Sequence, residues 1–222
     1  MAAGYLMYGN ENQKFARLWS YAKEMIDIIP GSTVIIKQEE QKFQRIYVCP
    51  SPLKKDFLAG CRRFLCLDGC FLKGAFKGQI LAVVGLVADK DIYPVAWAVV
   101  EVENTDSWTW FVRLLKEDLM MDREPDSSIL MTDQQKIAIK NELPDAVHRL
   151  CVKHLHANSS KRFTGKTLKK MMLKCVRAAN EPYFKVKMQQ LRNVIVEGYE
   201  ALRCIDLRKW ARYAFRPGRN CA

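Results

Sequence analysis

Three apolar segments follow one another in the middle of the chain, and they limit the folds that it can adopt. Phe64–Phe71 and Gln79–Ala88 are short and mostly apolar, and Tyr93–Glu101 is rich in β-branched and aromatic residues. Each has the length and composition of a strand, and the turn-forming run Asp89–Asp91 separates the last two. The nearly unbroken apolar run of Gln79–Ala88 is typical of a strand covered on both faces. We therefore predict an antiparallel meander of three strands.

Helical and strand patterns alternate after this meander. A helix is predicted to begin at Thr105 or Asp106, both suitable N-cap residues. The apolar face of this helix comprises Trp108, Phe111, Val112 and Leu115. A strand over Ser128–Thr132, a short helix over Gln134–Leu143 and a strand over Ala146–Cys151 follow, and the remainder is helical in pattern. This order favours α/β architecture, with a mixed five-stranded sheet, flanking helices and a C-terminal helical segment, over a doubly wound parallel sheet.

The segment before the meander has a pattern of its own. Helical spacing of apolar residues runs from Phe15 to Ile29, and Pro30 ends it. Thr33–Ile36 and Phe43–Val48 have the composition of short strands. The Pro50–Pro52 stretch is predicted to be a loop and a boundary. We therefore predict a pre-core extension over residues 1–52, a core domain over 53–160 and a basic helical segment over 161–222.

The formal net charge of +12 is distributed unevenly along the chain. From His148 to Ala222 there are 18 basic and 4 acidic residues, a net of +14, whereas the preceding part has 18 basic and 20 acidic residues, a net of −2. Nucleic-acid phosphates are the natural partner of such a surface, and solvated helix faces are the alternative. The densest basic cluster consists of Lys161, Arg162, Lys166, Lys169, Lys170 and Lys174. Three of its lysines recur at four-residue spacing, where a DNA backbone would relieve their mutual repulsion.

The cysteines and the hydropathy pattern fit a reducing interior compartment. The chain has eight cysteines, and none of them forms a Cys-x-x-Cys pair. The first ten residues lack the pattern of a secretory signal, and no apolar run reaches membrane-spanning length.

Among the tryptophans, Trp97 and Trp108 are predicted to lie in the core. Trp110 lies off the apolar face of its helix and is predicted to contact either bases or a neighbouring domain.

Two aspartates stand at unusual places in the apolar strands. Asp68 lies inside Phe64–Phe71, where a carboxylate is costly to bury unless it is paired or binds a cation. Gly69 beside it permits close approach by a ligand or by backbone. Asp133 follows the strand at Ser128–Thr132, and if the two strands are neighbours, both carboxylates converge at one edge of the sheet. Such a pair suits Mg²⁺ and phosphodiester chemistry, and a turn or helix-cap role is the alternative.

Cys151 and His154 form a second candidate site. A cysteine and a histidine at this spacing can share one zinc ion, but four ligands are usual. His148, His156 or Cys175 could complete the set, at no recognised spacing. A buried thiol beside a hydrogen-bonding or helix-capping histidine is the alternative interpretation, and it is favoured because no second ligand pair is visible.

Four stretches of the sequence resemble the plant Mutator-like element transposases, the MULE or MuDR type. Phe64–Gly74 resembles the first acidic motif of that family. Tyr93–Phe111 resembles the next segment, and Thr132–Lys136 resembles the second acidic motif. His148–Asn158 contains the family's Cys-x-x-His signature.

The resemblance implies a ribonuclease H-like fold with a metal-dependent site of the DDE type, which uses three acids. Asp68 and Asp133 are the two acids that carry over, with Mg²⁺ or Mn²⁺ as the implied cofactor. Cys151 and His154 carry over as a signature whose role is either metal binding or structural. The implied partners are transposon ends and target DNA, with nuclear localisation, a possible homo-oligomer and no membrane.

The third acid of the family is expected downstream of a helical insertion, within an Asn-Asn-x-x-Glu-like helix. The sequence ends at Ala222, before such a segment, and the glutamates of the helical region match no such motif. Ile137 also replaces the glycine that usually follows the lysine of the second motif. We therefore expect the 222-residue chain alone to be inactive or very weakly active.

The predicted function is that of a DNA transposase core, which cleaves and transfers DNA strands with divalent metal ions. Two other classes remain open at this point. The first is a transposase-derived protein that binds DNA and regulates transcription without catalysis. The second is an interaction scaffold with no role on DNA. Measuring duplex DNA binding at rising salt separates it from the others, because an affinity that does not fall with salt would contradict the argument from the basic cluster.

Overall fold

The computed structural model describes residues 17–40, 42–73, 77–87, 89, 91–122, 128–133, 136–160 and 166–215. The chain divides into two compact units. The first unit comprises residues 1–128 and 135–146, and the second comprises residues 129–134 and 147–222.

The first unit is built on five antiparallel strands. In chain order they are β1 (Thr33–Glu39), β2 (Lys42–Cys49), β3 (Arg62–Phe71), β4 (Gln79–Leu86) and β5 (Ile92–Val100). They lie side by side in the order β1-β2-β5-β4-β3. The predicted meander is confirmed, because β4 pairs with both β3 and β5 in antiparallel register.

Burial along β4 differs from the expectation for a strand covered on both faces. Alternate residues from Gln79 to Gly85 are buried, whereas the residues between them are half-buried. One face of the strand is therefore fully covered and the other only partly. The apolar run reflects residues such as Ile80 and Val84 on the half-buried face, where aliphatic side chains are tolerated.

Four helices complete the first unit: α1 (Leu18–Ile28), α2 (Ser51–Gly60), α3 (Thr105–Asp118) and α4 (Lys136–Glu142). The predicted apolar face of α3 is confirmed, since Trp108, Phe111, Val112 and Leu115 are all buried. The N-cap, however, is Asn104 and not Thr105 or Asp106. The predicted short helix is α4, and positions 134 and 135 of that prediction lie outside the described residues.

Two features of the N-terminal part differ from the sequence predictions. The Pro50–Pro52 stretch is not a loop, because α2 begins at Ser51 with Pro52 in its first turn. Proline is tolerated there since the first amide groups of a helix have no intrahelical acceptor. In addition, β2 pairs with β5, with Ile46 opposite Val99. The two N-terminal strands, which were predicted for a pre-core extension, are therefore part of the sheet, and its strand count exceeds the five predicted.

A buried acid ties the elements of the first unit together. Asp118, at the C-terminal end of α3, has a side chain that is 8% exposed. Its Oδ1 accepts hydrogen bonds from Thr33 Oγ1 at 2.6 Å and from Lys54 Nζ at 2.7 Å. Its Oδ2 accepts one from the hydroxyl of Tyr47 at 2.9 Å. Strands β1 and β2 and helix α2 are thus each joined to α3 by one carboxylate.

The second unit combines two parallel strands with helices. The strands are β6 (Ile129–Thr132) and β7 (Val147–Leu150), and the helices are α5 (Val152–Ser160), α6 (Lys166–Val176), α7 (Glu181–Val194) and α8 (Val196–Arg203), followed by the 3-10 turns Leu207–Lys209 and Arg212–Ala214. Their shared core includes Leu168, Met172, Phe184, Leu191 and Trp210.

Antiparallel strands in one unit and parallel strands in the other confirm a mixed α/β architecture with helices. No disulfide bond joins the cysteines of the described residues. None of the helices in the described ranges has the length and apolar composition that a membrane crossing requires.

Candidate metal and nucleic-acid sites

Asp68 lies near the C-terminal end of β3, and its side chain is exposed. The cost of burying a carboxylate, which drew attention to this residue in the sequence, therefore does not arise. The backbone amide of Gly69 donates a hydrogen bond to Asp68 Oδ1 at 3.0 Å. Asp68 pairs with Ala82 in β4, and Ala82 pairs with Trp97 in β5. The carboxylate is thus accessible to a ligand and sits on a strand fixed by the meander.

Gly69 is approached closely by a side chain of the same unit. A Cβ atom placed on Gly69 would lie 2.9 Å from both Cδ and Oε2 of Glu103. Such a contact is far inside van der Waals distance, so only glycine accommodates the carboxylate in this position. The sequence analysis predicted a close approach at Gly69, and the structure shows that the approaching group is the carboxylate of Glu103.

Local interactions hold Glu103 in place. Glu103 immediately precedes the N-cap of α3, where Asn104 Oδ1 accepts from the Ser107 amide at 2.8 Å and Ser107 Oγ accepts from the Asn104 amide at 3.0 Å. This reciprocal capping box fixes the backbone at the start of the helix. The indole Nε1 of the buried Trp108 donates to Glu103 Oε1 at 3.1 Å. Backbone and side chain of Glu103 are therefore both anchored to α3.

Glu103 is a candidate residue that the sequence analysis missed. The spacing of Asn104 and Ser107 could have located the helix start, and with it the position of Glu103 just before the cap. The contact with Gly69 could not have been found in this way. It depends on the register in which Gly69 lies opposite Leu81 and Leu81 opposite Ala98.

Nearby acids are already neutralised by an arginine. The side chain of Arg45 is only 2% exposed; its Nε donates to Glu101 Oε2 at 2.8 Å and its Nη2 to Asp106 Oδ2 at 2.6 Å. These hydrogen bonds lower the pKa of both carboxyl groups below their ordinary values.

Trp110, a predicted base-contact or domain-contact residue, is half-buried, with its ring 5.7 Å from the Arg45 guanidinium and 6.4 Å from the Tyr47 ring.

In the second unit, Asp133 directly follows β6 and is half-buried. Cys151 directly follows β7, and the amide of Cys151 donates to the Thr132 carbonyl at 3.0 Å. Because the two strands are parallel and Thr132 lies opposite Leu150, Asp133 and Cys151 leave the strands at the same edge. His148 lies on β7, three residues before Cys151, and its Nε2 is 2.7 Å from Oγ1 of Thr132 on β6.

His154 lies in the first turn of α5 and is half-buried. The carbonyl of Cys151 accepts the hydrogen bond from the Leu155 amide at 2.9 Å, so the cysteine stands at the entrance to this helix. Across the described ranges there is no group of three or more histidine, cysteine, aspartate and glutamate side chains arranged to hold a metal ion.

The basic residues of α6 form the most strongly cationic surface of the second unit. Lys169, Lys170 and Lys174 are exposed, and so is Arg177 just after the helix. The helix contains no acidic residue. In the part of the chain that is described, none of these four side chains forms an ion pair. Lys166 begins the helix, and the other predicted members, Lys161 and Arg162, lie outside the described residues.

Three basic residues of the later helices and turns have acidic partners. The ion pairs join Lys185 to Glu181 at 2.8 Å, Arg203 to Glu200 at 3.5 Å and Arg208 to Asp206 at 2.9 Å. Three of the four acidic residues that follow His148 are used in this way. Helix α6 differs from α7 and α8 in that it contains no acidic residue, so its positive charge is not offset within the helix. We refer to Lys169, Lys170, Lys174 and Arg177 as the α6 basic surface.

Comparison with known proteins bears on one part of the chain. No curated protein matches the sequence. Residues 64–158 match the family model described as the MULE transposase domain. The matched segment includes Asp68, Glu103, Asp133, Cys151 and His154. This match supports a relationship to the MULE-family transposases and suggests a transposase-related function for the segment.

Proposed function

We propose that the chain acts in DNA transposition as the catalytic core of a Mutator-like transposase of the plant type. Its reaction would be metal-dependent cleavage and transfer of DNA strands. The observation that carries the proposal is the match of residues 64–158 to the MULE transposase domain. It is supported by an exposed aspartate on a paired strand, Asp68, and by the α6 basic surface. The proposal includes a ribonuclease H-like fold and residence in the nucleus.

The metal proposed for this reaction is Mg²⁺ or Mn²⁺. Asp68 and Asp133 are the aspartates proposed to bind it. Carboxylate oxygens are the ligands that these hard cations prefer. Such a cation, when bound, activates the attacking oxygen and stabilises the leaving oxygen of a phosphodiester.

The α6 basic surface is proposed to hold the DNA backbone. Its lysines present charges without acidic partners in the described residues, and phosphates would replace their counterions. These contacts position the duplex and carry no sequence information. A zinc ion at Cys151 and His154 would need two further ligands, because four are usual.

The proposal is tested by the nicking of supercoiled DNA in Mn²⁺, comparing the wild type with Asp68→Asn and Asp133→Asn. We expect slow, metal-dependent nicking that both substitutions abolish. Asp145→Asn, at an exposed aspartate after α4, is the matched control and should nick like the wild type. Nicking that persists unchanged in both aspartate variants would show that these carboxylates are not the site.

A second function is favoured by one observation. The described residues contain no complete group of three metal ligands, whereas the α6 basic surface does not depend on any carboxylate. A DNA-binding or transcription-regulatory protein of transposase ancestry would keep this surface without catalysis. It would bind duplex DNA with an affinity that falls as salt rises, and it would show no metal-dependent nicking.

A further inference from the structure

One aromatic side chain of the second unit is exposed close to the end of the α6 basic surface. Of the phenylalanine, tyrosine and tryptophan rings that the structure describes in this unit, only Tyr183 is exposed, at 49%. Phe184 and Trp210 are buried, and Tyr199 and Tyr213 pack against the shared core. Tyr183 is therefore the ring of this unit that an external ligand can reach most easily.

The backbone of Tyr183 is fixed by the start of α7. Asn180 is the N-cap of this helix, and its Oδ1 accepts a hydrogen bond from the Tyr183 amide at 2.9 Å. Pro182 lies in the first turn, where its restricted φ angle fits the helix. The cap and the proline hold the ring at a defined place on the surface, so a ligand that binds there needs to order little of the protein.

A lysine one turn further along α7 lies over the ring. Nζ of Lys187 is 4.8 Å from the centroid of the Tyr183 ring, which is a cation–π distance, and it donates to Gln190 Oε1 at 3.1 Å. Within the described residues, Tyr183 makes no other ring contact and Lys187 makes no ion pair. The ammonium group lies over one face of the ring, and the other face is available to a flat ligand.

The ring follows directly on the α6 basic surface along the chain. Arg177, the last member of that surface, precedes Tyr183 by six residues, so their Cα atoms are at most about 22 Å apart. At about 3.4 Å per nucleotide, a DNA strand covers this distance in about six nucleotides. Burial raises the pKa of the Cys175 thiol in α6 to about 11, and the positive charge of Lys187 opposes this rise. Lys187 is thus close enough to α6 to act on it electrostatically.

A second tyrosine with the same exposure has different surroundings. Tyr21 is 48% exposed on α1 of the first unit, and that helix has one lysine and two acids, Glu24 and Asp27. Helix α7 has three basic residues and one acid, and it follows α6, which has no acid. The two tyrosines therefore differ in the charge around them, and only the surroundings of Tyr183 favour a polyanion.

We propose that Tyr183 stacks on an unpaired DNA base, next to the phosphate contacts of the α6 basic surface. Aromatic rings beside cationic surfaces are a common means of binding single-stranded DNA, because every base has a π face. The bases of an intact duplex are already stacked on one another and do not reach such a ring. The inference rests on the proposed function, which supplies DNA as the ligand of α6, and it adds single-stranded DNA to the ligands, since strand cleavage produces free ends.

The direct test measures binding of the full chain to labelled oligo(dT) and to a duplex of equal length by fluorescence anisotropy. We expect Tyr183→Leu to weaken oligo(dT) binding by about 5- to 100-fold, the loss expected for one stacked base, with duplex binding unchanged. Because tyrosine is uncharged, the salt slope of oligo(dT) binding should keep its wild-type value. Leucine is a good helix former and Tyr183 lies outside the core, so the variant should fold.

Three further variants identify the interaction. Tyr183→Phe keeps the ring and should bind oligo(dT) like the wild type. Tyr21→Leu removes the equally exposed tyrosine of α1 and is the matched control, which should also bind like the wild type. Replacing the three lysines of the α6 basic surface by glutamine should weaken oligo(dT) and duplex binding alike and lower both salt slopes.

The results separate this inference from the proposed function. If Tyr183→Leu binds oligo(dT) with wild-type affinity, or if Tyr183→Phe loses as much affinity as Tyr183→Leu, the stacking role is refuted while DNA binding by α6 stands. An equal loss of oligo(dT) and duplex binding in Tyr183→Leu would refute it too. If the wild type binds neither DNA, the inference and the DNA-binding part of the proposed function fail together. Selective loss of oligo(dT) binding in Tyr183→Leu, with Tyr183→Phe and Tyr21→Leu unchanged, supports the inference.

Discussion

The two units of this chain differ in how their charged side chains are paired. In the first unit, charged side chains neutralise one another: Arg45 pairs with Glu101 and Asp106, and Lys54 pairs with Asp118. In the second unit, α6 has lysines and no acids, although the later helices pair their cations internally. The α6 basic surface is therefore expected to provide affinity for DNA, whereas the cation chemistry is expected to depend on Asp68 and Asp133. Substitutions should therefore affect metal binding and DNA binding separately.

The largest expected effect concerns the stability of the first unit alone. Asp118→Ala would leave the Lys54 ammonium and the Tyr47 hydroxyl without their acceptor in a nearly buried place. Removing one member of a buried ion pair costs about 3–5 kcal/mol in unfolding free energy. Hydrogen exchange followed by mass spectrometry should show faster exchange in β1 and β2 and unchanged exchange in α7. Glu117→Ala, at the exposed neighbouring position, should change neither.

The next effect concerns DNA affinity and the second unit. Replacing Lys169, Lys170 and Lys174 by glutamine should weaken duplex binding by roughly 100-fold at low salt and reduce the salt slope by about three. Fluorescence anisotropy of labelled DNA at several salt concentrations measures both quantities. As a control, Lys185→Gln removes a lysine that is already paired with Glu181 and should change the slope much less. An equal loss in the control would show that charge count matters and that the α6 basic surface has no special role.

The smallest effect is the pH dependence of the first unit. Hydrogen bonds from Arg45 lower the pKa of Glu101 and Asp106 in the folded protein, below ordinary values of 4.5 and 3.8. The stabilisation is therefore complete above these ordinary values and is lost as the pH falls through the lower, folded-state values. Glu101→Gln should flatten the acid limb of stability against pH, as measured by urea unfolding between about pH 5 and pH 2.5. An unchanged acid limb would mean that the ion pair is not formed in solution.

Periodicity and turn chemistry were enough to predict much of this fold. The meander and the buried face of α3 follow from patterns within short windows, and Asp68 is recognisable as a carboxylate in an apolar strand. Helix α2 was missed because Pro50 and Pro52 indicate a loop, whereas proline is also suited to the first turn of a helix. The joining of β2 to β5 was missed because strand partners are set by tertiary packing.

The candidate site shows the same limit more sharply. The sequence predicted a close approach at Gly69 but could not identify Glu103, because the contact is made across three paired strands and a helix start. The predicted basic cluster was found on α6 as far as the described residues extend, but its significance depends on ion pairs elsewhere in the unit. Spacing alone cannot show which lysines already have an acidic partner.

The central claim is that cation chemistry depends on Asp68 and Asp133 while DNA affinity depends on the α6 basic surface. The most direct test measures Mn²⁺-dependent nicking and DNA affinity on the same two proteins, Asp68→Asn and the triple lysine variant of α6. The account predicts that Asp68→Asn loses nicking but binds DNA like the wild type. It predicts that the triple variant binds DNA roughly 100-fold more weakly but nicks at the wild-type rate once DNA is saturating. If Asp68→Asn nicks at the wild-type rate, or if the triple variant retains full DNA affinity, the assignment of catalysis to the aspartates and of DNA affinity to the α6 basic surface is wrong.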